Sequence, residues 1–428
     1  MTASASPQAA ALAPVPSIVT DTLDRLSLIP IIKSALEQIK KDETLTIEDQ
    51  ISLTEVEAPP FHEEARAEYF ARQLKELGLK NVRIDGIGNV IGVRPGNGNG
   101  PRLVLGAHLD TVFPKGTNVK VRRENGILYA PGISDDARGL AVLLEVLRTL
   151  NAFDIKTEGD LLFIATVGEE GNGDLRGSKH LFAAGEEHID GFISVDGADV
   201  GVLLHGSTGS RRFRVTFSGP GGHSWSNFGI PNANHALGRA IAKIADLQVS
   251  ESPKTTFSVG TVQGGSSINA IPAKAQLELD TRSINNDELN KLVERILPIF
   301  EEACEAENKR WNATEETKIK LSIDPIGHRP AGDQQNDSPI LLAARASMNH
   351  LGIALTTYGC ASTDQNVALS LGIPATTLGG GGKEGYNHSL KEWYDPTDSY
   401  LGPQLTFLSA LALVGLEAET LPLLPKRK

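Results

Sequence analysis

Residues 103–112 have the sequence LVLGAHLDTV, a short apolar run that ends in the pair His108 and Asp110. A continuous apolar run of this length predicts a buried parallel strand. Side chains two residues apart point to the same side of a strand, so the imidazole and the carboxylate face one direction. A neutral imidazole is the commonest protein ligand for zinc, and a carboxylate beside it can orient the ring. Alone, the pair does not distinguish a metal ligand from a surface His and Asp in a turn.

The bulk composition excludes several classes of protein. A chain of 428 residues exceeds one ordinary core, which predicts two domains. The 41 basic and 53 acidic residues give a net charge of −12, which argues against a nucleic-acid or anionic-membrane partner. The two cysteines, Cys304 and Cys360, are too few for a disulfide framework and suit a reducing compartment. We therefore expect a cytoplasmic protein.

The chain ends carry no membrane or secretion signal that we recognise. Residues 1–20 are rich in Ala, Ser and Pro and predict a disordered leader. No Lys or Arg precedes Arg25, which is unlike a secretory signal. The apolar stretch 405–416 contains a Thr and a Ser and is too short to span a bilayer.

Two patterns divide the rest of the chain. In residues 21–209 and 325–428, apolar strands alternate with helical segments, the first over 26–41, which predicts a mostly parallel sheet covered on both faces. Residues 210–324 instead contain strands in which apolar and polar residues alternate. Their order, β-α-β-β-α-β, is that of a ferredoxin-like unit. The sequence therefore predicts a doubly wound α/β domain with an inserted α+β module.

Two acidic residues share the position of His108 at the end of an apolar strand, and a third lies in a loop before a helix. Glu170 and Asp196 each stand where an apolar run ends, and Asp135 opens the loop before a helix. Ligands bind at the carboxyl edge of such sheets. Carboxylates gathered there repel each other unless protons or cations neutralise them. A set of His and carboxylate ligands without thiolates suits a pair of zinc or similar ions.

Two further residues complete this hypothesis. Glu169 precedes Glu170 and is displaced to the neighbouring side, from where it would reach a bound water. A metal lowers the pKa of such a water, so a carboxylate can take its proton and pass it to a leaving amine. The four glycines at 379–382 allow a close approach of the backbone and lead to His388, a second imidazole for the other ion.

Each feature also has an ordinary structural interpretation. A Glu-Glu pair usually marks a solvated turn, and an Asp before a helix is most often an N-cap. A lone His is more often a surface residue than a ligand, and Asn269 and Arg282 in the insert are each compatible with structural roles. These interpretations do not predict that several such turns fall at strand ends of one sheet.

Taken together, the motifs resemble one family over about residues 55–402. It comprises the di-zinc amidohydrolases that include peptidase T, carboxypeptidase G, aminoacylase, acetylornithine deacetylase and succinyl-diaminopimelate desuccinylase, and the sequence looks most similar to the peptidase T-like di- and tripeptidases. The motifs are HLDTV at 108–112, GISDD at 132–136, GEEG at 168–171, VD at 195–196, GPGGHS at 219–224, GGSSINAIP at 264–272, DTRS at 280–283 and the segment 379–389. The resemblance implies a catalytic domain with an inserted lid and dimerisation domain.

The resemblance implies a ligand set for two divalent ions. His108 and Asp196 would bind one ion, Glu170 and His388 the other, and Asp135 would bridge both. Zinc is the expected metal, with cobalt or manganese as alternatives. Of the two adjacent aspartates we choose the first, because it aligns with the position that is acidic throughout the family.

The resemblance also implies catalytic and substrate-binding roles. Asp110 would orient the metal-bound imidazole of its own strand, and Glu169 would be the general base and acid. In dimeric relatives the residue at His223 reaches the neighbouring subunit's site and stabilises the oxyanion. Asn269 and Arg282 look like the lid residues that hold the carbonyl and carboxylate of the substrate. A homodimer through the insert is therefore expected.

Two departures from the family pattern bear on this prediction. The usual Lys-Gly after the aspartate pair is replaced by Ala137-Arg138-Gly139, which leaves the conformation of that loop open. Asp196 stands where deacylases and carboxypeptidases of the family tend to have Glu, and relatives with Asp there are typically aminopeptidases. This favours short peptides with a free amino end as substrates.

We therefore expect a metallopeptidase that cleaves an amide in a di- or tripeptide by attack of a metal-bridging hydroxide. One alternative is the same chemistry on an N-acyl amino acid, as in an acetylornithine deacetylase. Another is a non-catalytic, metal-stabilised binding protein.

Overall fold

The computed structural model describes residue 12 and residues 14–183 and 187–427, which form two units. The first unit runs to Ser207 and resumes at Gly332, and the second comprises Thr208–Ala331. Most of the leader expected at 1–20 lies outside the described residues, but its end is helical from Ser17 onward. No helix in the described ranges is both long and apolar enough to cross a membrane.

The helices of the described residues are numbered in chain order. They are α1 Ser17–Leu28, α2 Pro30–Lys41, α3 Glu43–Thr54, α4 Glu64–Glu76, α5 Ala137–Ala152, α6 Arg176–Leu181, α7 Ala233–Ala245, α8 Asn286–Arg310, α9 Pro339–His350, α10 Gln365–Ser370 and α11 Leu401–Val414.

The strands are numbered in the same way. They are β1 Arg83–Ile84, β2 Val90–Arg94, β3 Arg102–His108, β4 Arg122–Glu124, β5 Ile127–Tyr129, β6 Asp160–Thr166, β7 Gly191–Val195, β8 Val202–Ser207, β9 Gly209–Ser218, β10 Gly222–His223, β11 Thr255–Gly264, β12 Ala270–Ile271, β13 Lys274–Ser283, β14 Lys320–Arg329, β15 Gly332–Asp333, β16 Thr357–Ala361, β17 Ala375–Leu378, β18 Lys383–Gly385 and β19 Trp393–Asp395.

The first unit is built on the large sheet that the apolar runs predict. Its strand order is β1-β2-β6-β3-β7-β17-β8-β15, with β16 paired to β8. The four central strands β6, β3, β7 and β17 are parallel to one another, and antiparallel strands flank them. The mostly parallel sheet predicted from the sequence is therefore confirmed.

Alternate side chains of the central strands enter two different cores. On β3, Leu103 and Leu105 join a large cluster with α5 and α11, whereas Val104 joins a smaller one on the other face with α6 and α10. Both sheet faces are therefore covered, which explains why the strands are apolar without interruption. A smaller sheet of order β18-β19-β5-β4 completes this unit.

The single helix predicted over 26–41 is wrong. The chain turns at Ile29, whose backbone is extended (φ −70°, ψ 120°), and α2 begins at Pro30. Proline lacks the N–H that would continue the helix and disfavours helical geometry in the residue before it. The break produces two helices, and a third, α3, follows them directly.

The second unit is an antiparallel sheet of order β11-β13-β9-β14 with two helices on one face. Phe213, Val215 and Phe217 of β9 pack with α7 and α8, as the alternating pattern predicts. The other face carries ion pairs across the strands, for example Arg214 with Glu278 at 2.8 Å.

The boundaries predicted for the insert, 210–324, are too narrow. Strand β14 continues to Arg329, because that residue still pairs with Ser210 of β9. The second unit therefore extends to Ala331.

One buried carboxylate in the first unit, Glu145, has a raised pKa. Glu145 of α5 has a fully buried side chain. It accepts hydrogen bonds from the hydroxyls of Thr46 (3.2 Å) and Thr149 (3.0 Å) and pairs with Arg148. Burial raises the pKa of Glu145 from its ordinary 4.5 to about 7, although Arg148 acts in the opposite direction.

We predict that Glu145→Gln weakens the pH dependence of unfolding. Between the two pKa values the folded protein holds a proton that the unfolded chain releases, so this group's contribution to stability is lost as pH rises. The free energy of unfolding in urea should fall by about 2 kcal/mol more in the wild type than in the variant between roughly pH 5 and pH 8. Equal slopes for the two proteins would contradict this.

Candidate metal centre

The four parallel strands end at the same edge of the sheet, where the candidate ligands lie at or just after the strand ends. His108 ends β3, Glu170 follows β6, Asp196 follows β7, and β17 leads through the four glycines towards His388. These strands are neighbours in the order β6-β3-β7-β17, so residues that are far apart in sequence meet at adjacent strand ends. The strand order therefore explains why the candidate ligands predicted from the apolar runs lie close together.

The carboxylate of Asp135 lies between two imidazoles. Nε2 of His108 lies 2.9 Å from its Oδ1, and Nε2 of His388 lies 2.9 Å from its Oδ2. The second ring also lies 2.8 Å from Oε1 of Glu170. Ligand atoms of His108, Asp135 and Glu170 all lie within 4.8 Å of one another. Each oxygen of one carboxylate therefore faces a different imidazole nitrogen, which is the arrangement that a carboxylate bridging two ions would require.

The charges of the centre perturb its titrating groups strongly. Burial alone would raise the pKa of Asp135, but hydrogen bonds with both imidazoles outweigh it and lower that pKa. Burial alone would lower the pKa of His108, but its hydrogen bond with Asp135 and the nearby carboxylates raise that pKa well above its usual range. Hydrogen bonds to Asp135 and Glu170 raise the pKa of His388 to about 10. The carboxylates thus favour positive charge at both ring positions.

Asp110 holds the strand ends together. Nδ1 of His108 lies 2.9 Å from the main-chain oxygen of Asp110 and 3.7 Å from its carboxylate. The carboxylate instead accepts the backbone N–H groups of Glu169 (3.0 Å) and Glu170 (2.9 Å). The main-chain oxygen of Asp110 therefore orients the ring, and Nε2 is the nitrogen that faces Asp135.

The two adjacent aspartates have different partners. Asp136 accepts the backbone N–H of His108 and that of Gly139, each at 2.9 Å, and so caps α5. Asp135 instead contacts the two imidazoles. The N-cap interpretation therefore applies to the second aspartate, whereas the first faces the other candidate ligands.

Asp196 provides a test of whether a metal fits. Its residue is 7% exposed, and its Oδ1 is buried with no hydrogen-bond partner among the described residues. Burial and then the charge of Asp135 raise its pKa well above the ordinary value. A buried carboxylate oxygen without a partner is costly, and a cation would satisfy it. Together with two imidazoles and two other carboxylates, this donor set fits a pair of divalent ions.

Glu169 is buried beside this group. Its residue is 6% exposed, and its charge contributes to raising the pKa of Asp196. Neighbouring Glu170 contacts His388 directly. The displacement of Glu169 to the neighbouring side, and its role as general base, stay predictions.

His223 lies in the second unit and is exposed on the short ribbon formed by β10 and β12. Its Nδ1 accepts the backbone N–H groups of Trp225 (3.2 Å) and Ser226 (3.3 Å). In the neutral ring the proton therefore lies on Nε2, which can donate a hydrogen bond to an anion.

The other two residues predicted to bind substrate also lie in the second unit. Asn269 accepts a hydrogen bond from the hydroxyl of Ser267 (2.6 Å), and Arg282 donates to the carboxylate of Asp280 (2.7 Å). Their roles, like that of His223, stay predictions.

Sequence reasoning missed two buried arginines near the centre. Arg66 of α4 donates to the main-chain oxygen of Leu109 (2.8 Å), so it supports the end of β3. Arg138 occupies the position where the family pattern has Lys. It donates to the main-chain oxygens of Gly380 (2.7 Å) and Ser399 (2.7 Å), and thus anchors the glycine loop. The sequence marked Arg138 only as a departure from the family pattern, and Arg66 only as a cation between two alanines.

The glycine loop itself is tightly enclosed. Gly381 has φ +89°, and a Cβ there would lie 2.1 Å from the main-chain oxygen of Ser399. A larger residue would therefore displace the chain that leads to His388.

Comparison with known proteins identifies the family of this chain. The family model for peptidase family M20/M25/M40 matches residues 104–413, which include the proposed ligands. The chain belongs to this family and is a metal-dependent hydrolase, so the hypothesis of a non-catalytic binding protein is excluded.

Individual relatives differ in their named activities. The chain is 29% identical over 256 residues to the succinyl-diaminopimelate desuccinylase of Corynebacterium glutamicum, covering 58% of this chain and 69% of that protein. A tripeptidase of Staphylococcus aureus has the same fold, with a TM-score of 0.71, 22% identity and coverage of 86% and 97% of the two chains. Aminopeptidase PepT of Bacillus cereus has a TM-score of 0.68 at 20% identity, with coverage of 86% and 97%.

We predict that Asp135→Asn abolishes stoichiometric metal binding. The change replaces the negatively charged carboxylate between the two imidazoles by a neutral amide, so both proposed ions lose their shared anionic ligand. After saturation with Zn²⁺ and gel filtration, elemental analysis should give about two ions per wild-type chain and fewer than one in the variant. His350→Ala, at an exposed position at the end of α9, is the control and should retain both ions. Retention of both ions by Asp135→Asn would contradict the assignment.

Proposed function

We propose that this protein hydrolyses an amide bond in di- or tripeptides with a free amino end, using two divalent ions, in the first place zinc. The observation that carries the proposal is the carboxylate of Asp135 between the rings of His108 and His388. Such a bridging ligand, with buried Glu169 next to the ligand Glu170, defines a hydrolytic centre rather than a structural metal site. In the proposed set His108 and Asp196 hold one ion, and Glu170 and His388 hold the other.

The bound ions would supply Lewis acidity at the scissile carbonyl and at the attacking water. Glu169 takes the proton of that water at a carboxylate oxygen and delivers it to the departing amine nitrogen. Because Nδ1 of His223 accepts two backbone N–H groups, its Nε2–H is the atom that donates to the tetrahedral oxyanion. Asn269 and Arg282 hold the carbonyl and the carboxylate of the substrate.

Peptide substrates are supported by two observations. Asp196 stands where, in the family that the motifs resemble, aminopeptidases typically have Asp and deacylases and carboxypeptidases tend to have Glu. The fold is also that of a tripeptidase and of aminopeptidase PepT. The two cysteines are unpaired, which suits the cytoplasm as the proposed location.

A second candidate is the hydrolysis of an N-acyl amino acid. It is favoured by the 29% identity to a succinyl-diaminopimelate desuccinylase. Both reactions need the same ions and the same base, so the difference lies in what the enzyme binds on the acyl side of the amide.

We expect a panel of matched substrates to separate the two. Free tripeptides, the same peptides N-acetylated, and N-acetyl and N-succinyl amino acids would be compared at equal concentrations. The proposal predicts turnover of the free peptides, loss of this activity with a chelator and its return with Zn²⁺. Turnover of the acylated amino acids alone would establish the deacylase, and no turnover of any compound would overturn both candidates.

The dimer is tested by mixing two inactive variants. We propose that His223 acts in the site of the neighbouring subunit of a homodimer. A dimer of one His223→Ala chain and one Glu169→Gln chain then has one complete site, so random exchange of subunits should restore about a quarter of wild-type activity. Glu169→Gln refolded alone is the control. If the mixture stays as inactive as its components, His223 does not act across a dimer.

A further inference from the structure

One segment of the first unit holds two carboxylates around a proposed ligand. Glu384 precedes His388 by four residues, and Glu392 follows it by four. Glu384 lies in β18, His388 lies in the connection that follows this strand, and Glu392 directly precedes β19. Neither glutamate belongs to the proposed ligand set, yet each side chain reaches a loop that presents a different ligand.

Glu392 binds the loop that presents Asp135. Its residue is 1% exposed. One carboxylate oxygen accepts the backbone N–H of Ser134 (3.0 Å), the hydroxyl of Ser134 (2.8 Å) and the backbone N–H of Asp135 (3.3 Å). The other oxygen accepts the backbone N–H of Gly132 (2.9 Å). Four hydrogen bonds therefore connect one side chain to three residues of this loop, Gly132, Ser134 and Asp135.

Glu384 binds the turn that follows β7 and presents Asp196. Its Oε2 accepts the backbone N–H of Ala198 at 3.1 Å. A Cβ on Gly197 would lie 3.2 Å from Oε1 of the same side chain, so the turn passes close to the carboxylate. The contact lies within two residues of the ligand.

The same segment thus connects three of the proposed ligand positions. His388 is carried by the segment itself, Asp135 by the loop bound to Glu392, and Asp196 by the turn bound to Glu384. Carboxylates that must approach each other repel before a metal arrives, and their loops would separate without such contacts. Groups that hold ligands in place commonly contribute 10- to 100-fold to metal affinity.

We propose that Glu384 and Glu392 are positioning residues that hold two ligand loops against His388 and thereby set the affinity of the metal centre. This inference rests on the metal site proposed above. Because Asp135 is shared by both ions, Glu392 controls the affinity for both. Because Asp196 serves one ion, Glu384 controls the affinity for that ion alone.

The test is a Zn²⁺ titration of metal-free full-length protein against a chromophoric chelator, with Glu392→Ala, Glu392→Gln and Glu384→Ala. We expect Glu392→Ala to weaken both binding steps at least about 10-fold. Glu392→Gln should weaken them less, because one acceptor oxygen remains. Glu384→Ala should weaken one step only. Asp395→Asn is the control. This carboxylate in β19 accepts hydrogen bonds from the backbone N–H and the hydroxyl of Thr397, two residues away, and does not reach a ligand loop through them. The titration of this variant should match that of the wild type.

The outcomes separate this inference from the function on which it rests. If the wild type binds no Zn²⁺, the metal site itself fails. If the wild type binds two ions and Glu392→Ala and Glu392→Gln bind both with unchanged affinity, the positioning role of Glu392 is overturned, even if thermal unfolding of the metal-free variants shows lower stability. Unchanged affinity in Glu384→Ala overturns the role of Glu384. If Glu392→Ala does not fold, Glu392→Gln decides the first point.

Discussion

The central constraint on this molecule is a buried carboxylate, Asp135, with an imidazole at each of its two oxygens. Such a group is stable in a protein interior only when opposite charge surrounds it. The two rings reach it from the ends of different strands, β3 and the segment after β17, which are separated in the sheet by β7 alone. These three side chains are held close together by the strand order, by the N-cap that Asp136 forms on α5, and by the anchored glycine loop.

Much of this arrangement follows from the sequence. The apolar runs before His108, Glu170 and Asp196 indicated parallel strands, and parallel strands in one sheet share their carboxyl edge. The alternation in Phe213, Val215 and Phe217 likewise indicated a half-exposed sheet in the insert. These predictions were possible because burial on two faces or on one leaves a different period in the chain.

Other features depend on contacts between residues that are far apart in sequence, which no local pattern predicts. Glu392 lies beyond the motif that ends near His388, and its four donors come from residues about 260 positions earlier. Arg138 departs from the family pattern, and only the structure shows that it donates to the main-chain oxygens of Gly380 in the glycine loop and of Ser399. The end of the insert was misplaced because residues 325–328 of β14 are exposed or half-buried, so the pairing of this stretch with β9 leaves little apolar signal. The break at Pro30, in contrast, was visible in the sequence.

The most direct measurement is anomalous diffraction from crystals of the zinc-loaded protein, recorded above and below the zinc absorption edge. We expect two anomalous peaks about 3.5–4 Å apart. One should lie beside His108 and one beside His388, with the carboxylate of Asp135 between them. A single peak, or two peaks that do not share this carboxylate, would contradict it.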